Sequence, residues 1–130
     1  MKFNTLVFLM MLFHPVYASA SLYQGTWEGS CNITGLSGKF KAKIDANGHG
    51  NIDENSSNNR LTGVIDIKNN GNYHIKGTIN PSAFSGADKV SKFTVDGRLS
   101  VSGQLMSIVG QVYDQNGHKF ANAHCSATRH

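Results

Sequence analysis

The stretch LTGVIDIKNNGNYHIKGTI, residues 61–79, decides the fold that the sequence predicts. Apolar residues or glycine occupy every second position in its first half, residues 61–67, and again in its second half, residues 73–79. A period of two is typical of a strand with one buried face. The Asn70-Gly71 step between the halves is a strong hairpin signal, because type I′ turns need positive φ at both central residues. The stretch therefore predicts two antiparallel strands joined by a tight turn.

The same alternation recurs along the rest of the chain and predicts an all-β fold. It is found in residues 23–33, 39–44, 93–101, 105–113 and 119–128, and a short segment at 50–53 is a further candidate. The steps Asn47-Gly48 and Asn116-Gly117 mark two more hairpins. No segment has a 3.6-residue amphipathic stripe, so we expect seven or eight strands and no long helix.

Glycine recurs inside four of these strands and favours a barrel over a sandwich. The segments LTGVIDI, IKGTI, VDGRLSV and IVGQV each place glycine two residues before an apolar position. Glycine weakens a strand, so its repetition indicates bends or crowded interior positions. Small closed barrels use such positions to turn corners and to fit a tapering interior. We therefore expect a small antiparallel up-and-down barrel.

The N-terminal segment has the pattern of a secretory leader. Lys2 supplies the charged start, an apolar run covers residues 6–13, and Ala18-Ser19-Ala20 provides small residues for cleavage near Ala20. The apolar run is shorter than the roughly 20 residues that a membrane span needs. We predict a signal peptide at residues 1–20 and a single domain at 21–130 that is secreted or periplasmic, has no membrane span and is a monomer.

The chain has two cysteines, Cys31 in the first strand segment and Cys125 in the last. An oxidising compartment favours a disulfide between them. Two buried free thiols, or a metal site that also uses His124, are the alternatives, although the metal-ligand spacing of known zinc sites is missing. In an up-and-down barrel the first and last strands are neighbours, so the bridge would join them at the closing seam.

Composition and motifs argue against several functional classes. The formal charge of +4, or +3 without Lys2, is far below what nucleic-acid binding usually requires. The acidic residues are scattered, no nucleophile or phosphate-loop motif occurs, and the five histidines after the leader show no ligand spacing. The stretch DANGHGNIDENS, 45–56, resembles a calcium loop but lacks the final glutamate, so a hairpin is the better interpretation. We expect no enzyme activity, no metal and no cofactor.

Two weak resemblances to known families agree with the barrel. Gly25-x-Trp27 resembles the opening signature of the calycin barrels, the lipocalins and avidins, in which the tryptophan packs across one end of an eight-stranded barrel. Residues 61–67, 73–79, 83–87 and 109–123 are similar to the barrel of bacterial transferrin-binding proteins and related secreted haem-binding proteins. Those proteins usually carry a lipid-anchor cysteine, absent here, and a Gly-Pro step where this chain has Tyr113-Asp114. Both resemblances imply a barrel that binds something, without naming a ligand.

The favoured hypothesis is a non-enzymatic protein that recognises another protein, as an inhibitor, an immunity protein or a receptor ligand does. Its contacts would come from the irregular connection 80–92 and the hairpin tips, with Phe84, Lys89 and Tyr113 as binding residues. The alternative is a carrier of a haem-like or apolar small ligand, held at the Trp27 end with Tyr73 lining the interior. An enzyme is the third hypothesis.

Overall fold

A computed structural model describes residues 19–56, 59–79 and 92–130 of the chain, with only the backbone described at Leu36, Ser56, Asn59 and Arg60. Almost all of the predicted leader and most of the predicted 80–92 binding segment, including Phe84 and Lys89, lie outside these ranges.

Eight antiparallel strands form a closed barrel. They are β1 Gly25–Ile33, β2 Leu36–Ile44, β3 His49–Ser56, β4 Asn59–Ile67, β5 Asn72–Ile79, β6 Lys92–Ser102, β7 Leu105–Asp114 and β8 Lys119–Arg129. Each strand pairs with the next one along the chain, and β1 also pairs with β8. The prediction of an all-β, antiparallel up-and-down barrel is confirmed, and the uncertain segment at 50–53 is part of β3.

The connections divide between two ends of the barrel, because successive strands run in opposite directions. The first end, which we call the plugged end, carries a 3₁₀ helix at Ala20–Tyr23 and the turns before β3, β5 and β7. The second, which we call the far end, carries the turns before β2 and β8. The strands β5 and β6 also reach it, at Ile79 and Lys92, so the 80–92 connection is attached there.

Hairpins occur at the Asn-Gly steps, but the predicted type I′ geometry is wrong. In the β2–β3 turn the Gly48 N–H donates to the carbonyl of Asp45 at 3.1 Å, and the Asp45 N–H donates to the carbonyl of His49 at 2.8 Å. This is a type I turn followed by a left-handed glycine, with φ of 82° at Gly48. A type I′ turn needs two positive φ angles in succession, and Thr34-Gly35 provides them, at 49° and 85°.

In two of the three Asn-Gly turns, an aspartate two positions before the step stabilises this geometry. One carboxylate oxygen of Asp45 accepts the backbone N–H groups of Asn47 at 2.8 Å and of His49 at 3.0 Å. The same bonds recur at Asp114, at 2.9 Å each. These side chains stabilise a three-residue loop in place of a two-residue one. The bonds from His49 and Asn47 also lower the pKa of Asp45. The calcium-like stretch is therefore a hairpin, as expected.

Glycines face each other inside the barrel and make room for aromatic rings. Gly63 lies opposite Gly77, and Gly97 lies opposite Gly110. A Cβ on Gly77 would come within 2.6 Å of the Phe93 ring, and one on Gly110 would overlap the hydroxyl of Tyr73. The recurring glycines thus mark crowded interior positions, as the sequence predicted.

The plugged end is closed around Trp27, which is completely buried. Its indole N–H donates to the carbonyl of Tyr23, the last residue of the 3₁₀ helix, at 2.9 Å. The guanidinium of Arg129 lies 4.4 Å from the centre of the Trp27 ring and adds a cation–π contact. Its two terminal nitrogens donate to the carbonyls of Leu22, Gln24 and Gly103, at 3.2–3.3 Å. One side chain from β8 thereby fastens the helix to the barrel.

The disulfide joins β1 to β8 at the seam where the barrel closes, as predicted. Cys31 of β1 lies directly opposite Cys125 of β8 in the register, and their Cα atoms are 4.0 Å apart. Both cysteines are buried and belong to the apolar core that the described strands enclose. The bridge therefore lies inside the barrel.

Candidate functional site

The interior of the barrel is nearly filled by side chains. A cavity of about 60 Å³ remains in the half nearer the far end. It is lined mostly by apolar groups, among them Ile33, Ile79, Phe93, Ile108, Phe120 and the disulfide. Sites for drug-sized ligands and cofactors usually measure about 300–1,000 Å³. This cavity is therefore far too small for a haem-sized ligand.

One charged side chain lines this cavity. Glu54 on β3 is 4% exposed and is the sole buried charged residue among the side chains that the structure describes. The sequence interpretation missed Glu54, because it ended the short strand at Asp53. Continuing the alternation of Gly50 and Ile52 by two residues would have placed it inside.

A β-bulge at the far end gives Phe120 an unusual position. Val112 of β7 pairs with Ala121 of β8, whereas Tyr113 pairs with Lys119, so Phe120 is an extra residue between the two pairs. Bulges commonly redirect a side chain at the rim of a barrel. Phe120 borders the cavity and is still 37% exposed. One indication was visible in the sequence, since Phe120 is an aromatic residue out of phase with Ala121, Ala123 and Cys125.

The predicted binding residues do not form one cluster. Tyr113 lies at the far end, partly buried, and its hydroxyl donates to the side-chain carbonyl of Gln111 at 2.8 Å. Trp27 lies at the opposite end, beneath the 3₁₀ helix Ala20–Tyr23, which we call the plug, and does not line the cavity. Tyr73 belongs to the core, and its side chain lines the cavity. The structure therefore brings Tyr113 to the same end as Phe120 and separates both from Trp27.

Tyr73 is a core residue with a satisfied hydroxyl group. It is 4% exposed, and its hydroxyl donates to the carbonyl of Val109 at 3.0 Å, above the Gly97–Gly110 pair. Burial raises the pKa of Tyr73 strongly, and the negative charge of Asp96 raises it further. The phenol therefore remains protonated at pH values where an exposed tyrosine ionises.

We expect the barrel to lose stability above about pH 10, partly through Tyr73. The unfolded chain ionises its tyrosines near pH 10, whereas the folded chain keeps the proton on Tyr73, so unfolding releases a proton. Each such group lowers the free energy of unfolding by up to about 1.4 kcal/mol per pH unit. Urea unfolding of the wild type and of Tyr73→Phe at pH 8–11 tests this. The variant should start about 1 kcal/mol less stable and show a shallower decline; parallel curves would contradict the expectation.

The outer wall carries a row of alternating histidine and aspartate side chains. His49, Asp66, His74 and Asp96 occupy consecutive register positions across β3–β6. The His49–Asp66 and His74–Asp96 pairs are 3.0 and 2.6 Å apart and largely exposed. His49, Asp66 and His74 border a shallow external groove with Lys43 and Lys76. Exposed pairs of this kind contribute little to stability. No group of three histidine, cysteine, aspartate or glutamate side chains in the described ranges could hold a metal ion.

Comparison with known proteins gives no further guidance. No protein-family model matches the chain, and no curated protein matches it either. The two resemblances described above therefore stay predictions. In the residues that the structure describes, no helix is long and apolar enough to cross a membrane.

Proposed function

We propose that this chain is a secreted, non-enzymatic binding protein that recognises another protein through the far end of its barrel. The recognition surface comprises the 80–92 connection, the β7–β8 hairpin tip, and the aromatic residues Tyr113 and Phe120. The observation that carries the proposal is the filled interior. The cavity of about 60 Å³ among the described core residues has little room for a ligand, so the outer surface is the better candidate for recognition.

Two features at the far end support a protein partner. Phe120 exposes an aromatic surface on the bulge, and Tyr113 lies on the paired strand beside it. Tyrosine and other aromatic side chains are enriched in protein interfaces and often dominate the binding energy. Lys92 is exposed at the start of β6 at the same end and would add a charged group to the edge of the surface.

The proposed export has independent support in the buried bridge. Structural disulfides are rare in reducing cytosolic compartments and common in secreted domains of this size. The Cys31–Cys125 bond fits that pattern, as does the leader-like segment that precedes the barrel.

We expect capture of the partner to depend on the far end. The exported wild type, a Tyr113→Ala/Phe120→Ala variant and a matched Val64→Ala/Val109→Ala control are immobilised and exposed to secreted or periplasmic proteins of the source organism. Val64 and Val109 are 58% and 49% exposed on the outer wall, away from the far end. Loss of one aromatic hot spot worth 2 kcal/mol weakens binding about thirtyfold. A protein retained by the wild type and the control should be lost from the aromatic variant.

Two results would contradict the proposal. The first is equal capture by all three proteins and by a Phe84→Ala variant, which alters the 80–92 connection. The second is an added small-molecule mass on the exported protein in native mass spectrometry, which would favour the carrier hypothesis.

A further inference from the structure

Two peptide bonds near the end of the predicted leader meet the same sequence requirement. Signal peptidase needs compact residues immediately before the cut and two positions earlier. Ala18 and Ala20 satisfy this for cleavage after Ala20, and Val16 and Ala18 satisfy it for cleavage after Ala18. The sequence pattern therefore leaves the position of the cut open.

The structure uses Ala20 as part of the plug. Its side chain is 8% exposed, and its backbone N–H donates to the side-chain oxygen of Asn69 in the β4–β5 turn at 3.0 Å. A Cβ added to Gly48 would lie 2.9 Å from the Cβ of Ala20, so Ala20 packs closely on the β2–β3 turn. Ala20 thus bridges two turns at the plugged end.

Ser19 also contributes to the plug. Its carbonyl accepts the N–H of Leu22 at 3.0 Å, which forms the first hydrogen bond of the 3₁₀ turn. Its hydroxyl lies 2.6 Å from the hydroxyl of Ser21. Cleavage after Ala20 would remove Ser19 and Ala20 and place a charged amino group on Ser21. The helix over Trp27 would lose its first turn bond and its contact with Asn69.

We propose that the leader is removed between Ala18 and Ser19, so that the mature protein begins at Ser19 and keeps the complete plug. This inference rests on the export assumed in the proposed function. It revises the cleavage position that the sequence suggested, near Ala20, by two residues. The contacts that support it, made by Ser19 and Ala20, lie in the described part of the chain.

The intact mass of the exported protein tests the position directly. The full precursor, residues 1–130, is expressed in a secreting host, and the protein is recovered from the exported fraction with its disulfide formed. We expect the mass of a chain that starts at Ser19. A mass lower by one serine and one alanine residue would overturn the inference and leave the proposed export intact. A full-length mass would instead overturn both.

A second measurement tests whether the Ala20 contact exists in the mature protein. Asn69→Ala removes the acceptor of the Ala20 N–H, and we expect the melting temperature of the exported protein to fall by about 4 °C. The control is Asn122→Ala on the exposed face of β8, which should leave the melting temperature nearly unchanged. Equal melting temperatures for wild type and both variants would count against a chain that retains Ala20.

Discussion

Replacing Cys31 and Cys125 with alanine is expected to lower the free energy of unfolding by about 4–5 kcal/mol. The bridge joins residues 94 positions apart, and closing a loop of that length removes much of the entropy of the unfolded chain. The loss is a large fraction of the 5–15 kcal/mol by which domains are usually stable. Urea unfolding of the wild type and the double variant, followed by tryptophan fluorescence, measures the difference.

The matched control replaces the neighbouring pair of the same seam. Ser30 lies opposite Ser126, one register step from the bridge and on the exposed face. Ser30→Ala/Ser126→Ala should change stability by less than about 0.5 kcal/mol. A double cysteine variant within about 1 kcal/mol of the wild type would show that the backbone pairing of β1 and β8 alone holds the seam.

Gly97→Ala is expected to destabilise the barrel by about 3 kcal/mol, or to prevent folding. A Cβ at Gly97 would overlap the backbone carbonyl of Val109 and lie 2.6 Å from the Cα of Gly110. Both obstacles are main-chain atoms of the paired strand, so relief requires β6 and β7 to separate. Overpacking of this kind usually costs about 1–3 kcal/mol and sometimes more. Thermal unfolding of the purified variant measures the loss.

Gly110→Ala provides a contrast in which the obstacle can be removed. Its Cβ would meet the hydroxyl of Tyr73 first, and then a methyl group of Val95 at 2.8 Å. The Tyr73→Phe/Gly110→Ala double variant lacks this hydroxyl. Its loss in free energy of unfolding should therefore be about 1 kcal/mol smaller than the sum of the losses of the two single variants. Tyr73→Phe should give less relief to Gly97→Ala, whose nearest obstacle is backbone. Equal rescue of both variants would refute this account of the glycine pairs.

The architecture could be predicted from the sequence because the period of two is nearly continuous. Most strands keep apolar residues or glycine on one face, so the antiparallel pairing and the position of the bridge follow from local patterns. The strand β3 breaks the pattern at the buried Glu54, which is why the sequence left the number of strands at seven or eight. The turn type could not be predicted from Asn-Gly alone. The same turn forms at Asn70-Gly71, where Lys68 takes the place of Asp45 and Asp114, so the aspartates stabilise this geometry without being required for it.

The far end was less predictable because its features depend on register. The bulge that positions Phe120 exists because Val112 and Tyr113 are adjacent while their partners, Ala121 and Lys119, are two apart. The out-of-phase Phe120 hints at this offset, but no local propensity gives its position in the register. The plug has a similar origin, since the role of Ala20 becomes visible only when the β2–β3 and β4–β5 turns are placed beside it.

The closed wall of the barrel also limits how a partner can bind. Every strand from β1 to β8 has hydrogen-bonded neighbours on both sides, so the sheet offers no edge to which another polypeptide could add a strand. Recognition by strand addition, which many binding modules use, is thereby excluded for the intact barrel. A partner must contact side chains and connecting segments instead. The same arrangement protects the chain from the edge-to-edge association that leads β-rich proteins to aggregate.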